Sequence, residues 1–202
     1  MDFFKRNFKI RAESNDEAKL ARITGKPIVF DSKTDLGFCD EIIERGALDK
    51  ADLSDVRFFV NHNIDGIPFA RYRKGNPDNT MLLSVDKTGM EINVDLDVDN
   101  NAEARALYSA VKRGDISGMS FMFSIDDEEW EDLKSNHPTR HIKSIGKVVE
   151  VSAVAFPAYE STEITARDKK LLEAERKKVL NTNSENSEFD LIKLKAKYLY
   201  QL

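Results

Sequence analysis

His62 lies in Val60-Asn61-His62-Asn63, directly after the bulky run Val56 to Val60, and Gly66 and Pro68 follow it. An imidazole at a strand end stands on a fixed scaffold, where it can act as a general base. An ordinary strand-end histidine carries the same signature. Ser120 lies in Gly114-Asp115-Ile116-Ser117-Gly118-Met119-Ser120-Phe121-Met122-Phe123. The small residues Ser117 and Gly118 leave room for another backbone to approach, and Gly118 could turn amides toward a developing oxyanion. The segment imitates a G-x-S-x-G elbow, but Met122 stands in place of the last glycine and no clear helix follows, so an α/β-hydrolase is a poor fit. Glu150 sits in Val148-Val149-Glu150-Val151-Ser152-Ala153-Val154. Parity groups Val148, Glu150 and Ser152 on one strand face without deciding which face is wet. A carboxylate aligned with a histidine holds the imidazole tautomer and stabilises its protonated form.

Other chemistries fit less well. His137 and His141 are four apart, which would suit zinc on a helix, but Pro138 lies between them. No second cysteine and no helical glutamate motif completes such a site. Cys39 is the single cysteine, so no internal disulfide is possible and a reducing compartment is expected. Its neighbour Asp40 would raise the thiol pKa, which argues against a thiol nucleophile. Asp31-Ser32 is followed by Lys33, so the D-[TS]-G of aspartic proteases is missing.

The elements that must position these residues are mostly short strands. Met90, Ile92, Val94, Leu96 and Val98 alternate with polar residues, the clearest period-two signal in the chain. Asp86-Lys87-Thr88-Gly89 predicts a hairpin turn before it. Ala102 to Arg113 predicts a helix capped by Asn100 or Asn101, stopped by Gly114, with Ala106, Leu107, Ala110 and Val111 as its apolar stripe. Residues 3–11 suggest an edge strand, 12–24 a loop or helical turn, and Gly25-Lys26-Pro27 a turn before a short strand Ile28-Val29-Phe30. Ile116 to Ile125 and Ile142 to Phe156 read as further strands, with a turn at Ser135 to Pro138. A β-barrel or sandwich decorated with helices fits this pattern.

The chain has 202 residues, is 41% apolar and carries a net charge of −5. Mean hydropathy is −0.49. No apolar stretch reaches the roughly 20 residues of a spanning helix, and the acidic balance argues against a broad nucleic-acid surface. From Ala166 onward there are nine Lys/Arg against six Asp/Glu, a net of +3. Lys169 to Leu180 favours helix, Asn181 to Asn186 reads as a linker, and Ser187 starts a second helix with Phe189, Ile192, Ala196 and Leu199 on one face. This divides the chain into a domain, 1–165, and a charged helical tail, 166–202, suited to partner docking or later removal.

Four segments in order resemble the HK97-type phage prohead serine proteases. Phe38 to Leu48 (FCDEIIERGAL) is similar to that family's F-x-E-x-I-x-x-G-A-[FL], and Phe59 to Asn63 with Pro68 and Arg71 to its N-H-[DN]…P…[RK]. Gly114 to Phe123 is similar to its G-x-I-x-G-[ML]-S-[FI]-G-F, and Glu150 to Tyr159 to its E-[VI]-S-x-V-x-x-P-A-[YN]. Met122 and Ala70 depart from glycines common in the family. The resemblance implies a mainly β, α+β fold similar to herpesvirus assemblins, a β-barrel ringed by helices. It implies a serine endopeptidase with Ser120 as nucleophile, His62 as general base and Glu150 as third member. His141 is the competing third member and Ser117 the rival nucleophile. No metal or organic cofactor is implied. The implied partners are the major capsid protein and scaffold, cleaved in the prohead interior within the bacterial cytoplasm, with self-cleavage and a homodimer both compatible. No membrane and no direct nucleic-acid contact are implied. The alternative is a non-catalytic capsid assembly protein of the same fold.

Overall fold

The structure, a computed structural model, describes residues 3–15, 20–155 and 169–178. Ten strands and a helix run in chain order as β1 (Phe3–Asn15), β2 (Leu20–Val29), β3 (Lys33–Asp35), β4 (Asp40–Ile43), β5 (Asp55–Val60), β6 (Ala70–Arg73), β7 (Met81–Asp86), β8 (Gly89–Leu96), α1 (Ala102–Arg113), β9 (Gly118–Glu131) and β10 (Thr139–Val154). A second helix, α2, spans 169–178. The class is mainly β with helices, as expected.

The strands form one sheet in the order β3-β4-β10-β9-β1-β2-β8-β7, with β5 added to β10 and β6 to β5. β4 and β5 both run parallel to β10, against its first and last thirds respectively. The sheet curls until β6 meets β7, yet no backbone ladder joins those two among the described residues, so the expected closed barrel is not found. Side chains bridge the seam instead. Thr80 Oγ1 accepts from Arg71 N at 3.0 Å, and the Asn79 amide both accepts from Arg73 N and donates to Arg73 O, at 2.8 and 3.0 Å. The reason is local: β6 is only four residues long, and the polar turn after it uses up its free edge.

The alternation in β8 does what period two requires. Met90, Ile92 and Val94 are fully buried and Leu96 nearly so. Gly89 starts the strand with φ +149°, and a Cβ there would lie 1.9 Å from the carbonyl oxygen of Ile28, so only glycine fits. In α1 the Asn101 side chain accepts from the amides of Glu103 and Ala104, and Gly114 ends the helix in the left-handed region. Its buried residues are Ala104, Leu107 and Val111, a stripe rotated from the expected one, which leaves Ala106 exposed.

Three expectations change. β1 is not an edge strand: residues 3–9 pair with β9 and 10–15 with β2, so one strand joins two parts of the sheet. The expected loop at 12–24 is largely strand, because Ala21 and Ile23 alternate inward. Gly25-Lys26-Pro27 is a bulge within β2, where the register shifts between Gly25 and Ile28, rather than a turn. α2 belongs to the tail yet packs on the body. Leu172 is buried, and Arg176 donates to the carbonyls of Leu133 and Ser135 in the β9–β10 turn. The expected helix from Ser187 lies outside the described residues.

Candidate active site

β9 and β10 are buried on both faces where they cross the centre. Met119, Phe121 and Phe123 point into the core with Val151 and Ala153, while Ser120, Glu150 and Ser152 are buried on the opposite face. Phe121 and Phe123 stack, their ring centroids 4.6 Å apart, beneath the segment that carries Ser120. Burial on both faces explains why parity in the valine-rich sequence leaves the orientation of Glu150 open. A register shift between Val148 and Glu150 adds to this.

The structure brings His62 and Glu150 together. Nδ1 of His62 lies 2.6 Å from Oε1 of Glu150, and the carboxylate is fully buried. A carboxylate can only accept, so this contact puts the imidazole proton on Nδ1 and leaves the Nε2 lone pair free to take another. Ser152 fastens both partners. Its hydroxyl donates to Oε2 of Glu150 and accepts from the backbone amide of His62 at 3.1 Å. Asn61 and His62 both have left-handed backbones, with φ of +50° and +59°. Each costs on the order of 1 kcal/mol or more and persists only where surroundings hold it. Here Asn61 N donates to Ala153 O at 2.9 Å, and the Asn61 side chain accepts from Ala155 N at 3.1 Å. These bonds tie the chain back along β10 and turn the imidazole over Glu150.

Ser120 registers opposite Ser152 across the β9–β10 ladder, so the two side chains share a face with Cβ atoms about 5 Å apart. The Ser120 hydroxyl is buried and has no hydrogen-bond partner. Leaving such a group unpaired costs about 1–3 kcal/mol. Ser124 has the same deficit four positions along, but its partner across the ladder is Lys147, away from His62. Ser120 makes no hydrogen bond to His62; one strand spacing and the Ser152 hydroxyl separate them.

The competing residues lie elsewhere. His141 is nine positions before Glu150 on β10, about 30 Å along an extended strand, and contacts Glu44 and Glu131 at 3.1 and 3.3 Å. Ser117 is exposed ahead of β9, its carbonyl accepting from Ile10 N. Gly118 is not among the glycines with positive φ; it pairs with Lys9 and Val154 within the ladder. The backbone turn foreseen there for an oxyanion is thus absent. His137 meets Asp40 at 3.1 Å and Asp35 at 3.6 Å in an exposed cluster, and Lys33 also holds Asp40. The Lys33 hydrogen bond is the main reason the Asp40 carboxyl sits below its ordinary pKa. Cys39 is fully buried.

Ser152 and Asn61 are the site residues that the sequence reading passed over. The spacing of Ser152 two positions after Glu150 was the available signal. No helix among the described residues is long and apolar enough to cross a membrane. A family model described as caudovirus prohead serine protease matches residues 6–177. No curated protein and no solved structure matches the chain, so the likeness to assemblins gains no support from that side.

Proposed function

Because the chain belongs to the caudovirus prohead serine protease family, and is thereby a serine peptidase of capsid maturation, we propose that Ser120, His62 and Glu150 are its catalytic group. The observation that carries the proposal is the buried contact of His62 Nδ1 with Glu150 Oε1, one registered serine away from the unpartnered hydroxyl of Ser120.

In this reading Nε2 of His62 takes the Ser120 proton as Oγ attacks a peptide carbonyl. Glu150 keeps the imidazole in the required tautomer and balances its charge once protonated. His62 then delivers the proton to the leaving amine, and water, activated by the same ring, releases the acyl group from Ser120. The bond between Ser120 and His62 has to form when substrate binds. Catalytic hydrogen bonds are often long before the Michaelis complex and tighten within it.

The substrates we assign are the N-terminal region of the major capsid protein, the scaffold, and the protease itself, acted on within the prohead in the host cytoplasm. The helix α2 rests on the body, so a docking role for the tail falls to 179–202, which holds three lysines and three acidic residues.

Co-expression with the cognate capsid protein, read by intact mass, tests the proposal. Ser120→Ala should reduce trimming at least ~10³-fold, and Ser117→Ala should leave most of it. Trimming that survives Ser120→Ala removes that residue as nucleophile. A wild-type chain that co-assembles without trimming favours the non-catalytic assembly protein instead.

A further inference from the structure

The face that carries Ser120 and Ser152 continues onto β5, where Phe59 registers with Ser152. Two strand spacings of about 4.8 Å put the backbone of Phe59 about 10 Å from that of Ser120. Beside Phe59 opens a cavity of about 580 Å³, between the loop 61–69 and α1. Its walls are chiefly apolar, with Val60, Ile67, Phe69, Leu107 and Ile116 joining Phe59. Asn61 and Asn63, the two neighbours of His62, line it as well, so one wall is the loop that holds the imidazole. The charged side chain in the lining is Glu103, from the first turn of α1.

The volume falls within the roughly 300–1,000 Å³ of ligand sites, and the lining has the composition of one. Ile67 is 88% exposed and Ile64 53% on that same loop, apolar surface that a bound chain would cover. A peptide lying across the face of Ser120 would bring a side chain within two or three residues of the scissile bond to this opening.

We propose, on the basis of the Ser120–His62–Glu150 reading, that this cavity is the specificity pocket and receives a large apolar side chain of the substrate peptide. Glu103 makes it reject Asp and Glu at that position. An apolar cavity discriminates by the area it can desolvate, and a carboxylate at its wall repels a second one.

The test is cleavage of a degenerate peptide library by the full chain, with sites located by mass spectrometry. One position near the cut should favour Leu, Ile, Phe or Met over Ala by about tenfold or more, and should be depleted in Asp and Glu. Ala110→Trp builds into the cavity from α1 without altering the buried stripe Ala104, Leu107 and Val111. It should bring the Leu-to-Ala ratio of kcat/KM toward one, and Ala106→Trp serves as a second variant, with thermal melts reporting folding. Cleavage without apolar preference, or a ratio unmoved in both folded variants, overturns the pocket and leaves the catalytic reading standing. If the wild type cuts nothing in the library or the capsid protein, the catalytic reading fails by itself. Binding of a fluorescein-labelled Leu peptide to the Ser120→Ala chain, weakened when Ala110→Trp is added, then decides the pocket. No binding, or binding that Ala110→Trp leaves unchanged, overturns it.

Discussion

The two ends of β10 carry the same kind of contact in different solvents. Near its start, His141 lies between Glu44 and Glu131, whose side chains are 38% and 66% exposed. Near its end, Glu150 is fully buried against His62. Water competes for the His141 contacts, so each is worth about 0–1 kcal/mol. The second pair has lost its water, and each remaining lone pair and proton must find a protein partner. Ser152 takes up that requirement, holding both the carboxylate and the amide of His62. Burial thus turns an ion contact into a fixed orientation, which is what proton transfer needs. The start of β10 also holds a buried charge, Arg140, but there Glu41 and Glu128 neutralise it and it faces no cavity identified above.

The sharpest test of this contrast compares Glu150→Gln with His141→Ala. The first should lower capsid-protein cleavage by 10²–10⁴-fold, less than Ser120→Ala, because the orienting acceptor becomes an amide. The second should stay within about twofold, as measured by initial rates on the same substrate. Equal losses would break the comparison and restore the two-histidine arrangement. Arg140→Ala probes the other burial. It should destabilise the fold by about 3–5 kcal/mol in urea unfolding, since it removes the cation that faces the buried Glu41 carboxylate. Ser152→Ala should cost about tenfold in kcat with KM little changed, the loss of roughly one hydrogen bond to a charged group. Partial rescue by Ser152→Thr would show that the hydroxyl matters, whereas an equal loss in Thr would point to packing.

The smallest effect concerns Asp52, which bonds Lys147 and Ser54 on the flank of β10. The Lys147 hydrogen bond, ahead of those from Ser54, holds its carboxyl well below the usual range. Its contribution is fully present above an unfolded value of about 3.9 and disappears as pH falls toward the folded one. The half-exposed pair limits that to under about 1 kcal/mol. The difference in stability between wild type and Asp52→Asn should therefore shrink between pH 5 and pH 2, roughly speaking.

Much of this was legible in the residues. Met90 to Leu96 announced β8 because one wet face and one dry face leave a period of two. Asn101 and Gly114 announced the ends of α1 because caps are chemical. β2 was hidden because Gly25-Lys26-Pro27 has turn chemistry and is used as a bulge. The long β1 was misjudged because pairing on opposite edges in its two halves leaves no local pattern. The strand pattern fitted a barrel or a sandwich and the family likeness implied the barrel, and a four-residue β6 with polar neighbours leaves it unclosed. Within the site, the meeting of His62 and Glu150 depends on β5 lying parallel beside β10, a non-local pairing invisible to any window of sequence. Parity set Ser152 on the face of Glu150, but its hold on the His62 amide depends on the same non-local pairing.

The seam between β6 and β7 has one last implication. β5, the His62 loop and β6 are consecutive in the chain, so the loop that carries the proposed base returns into a strand laddered to β5 on one edge and sewn to its other neighbour by two polar side chains. Under the proposed assignment, the acid therefore stands within continuous backbone ladders, whereas the base stands in a loop whose second strand ends at a seam of side chains.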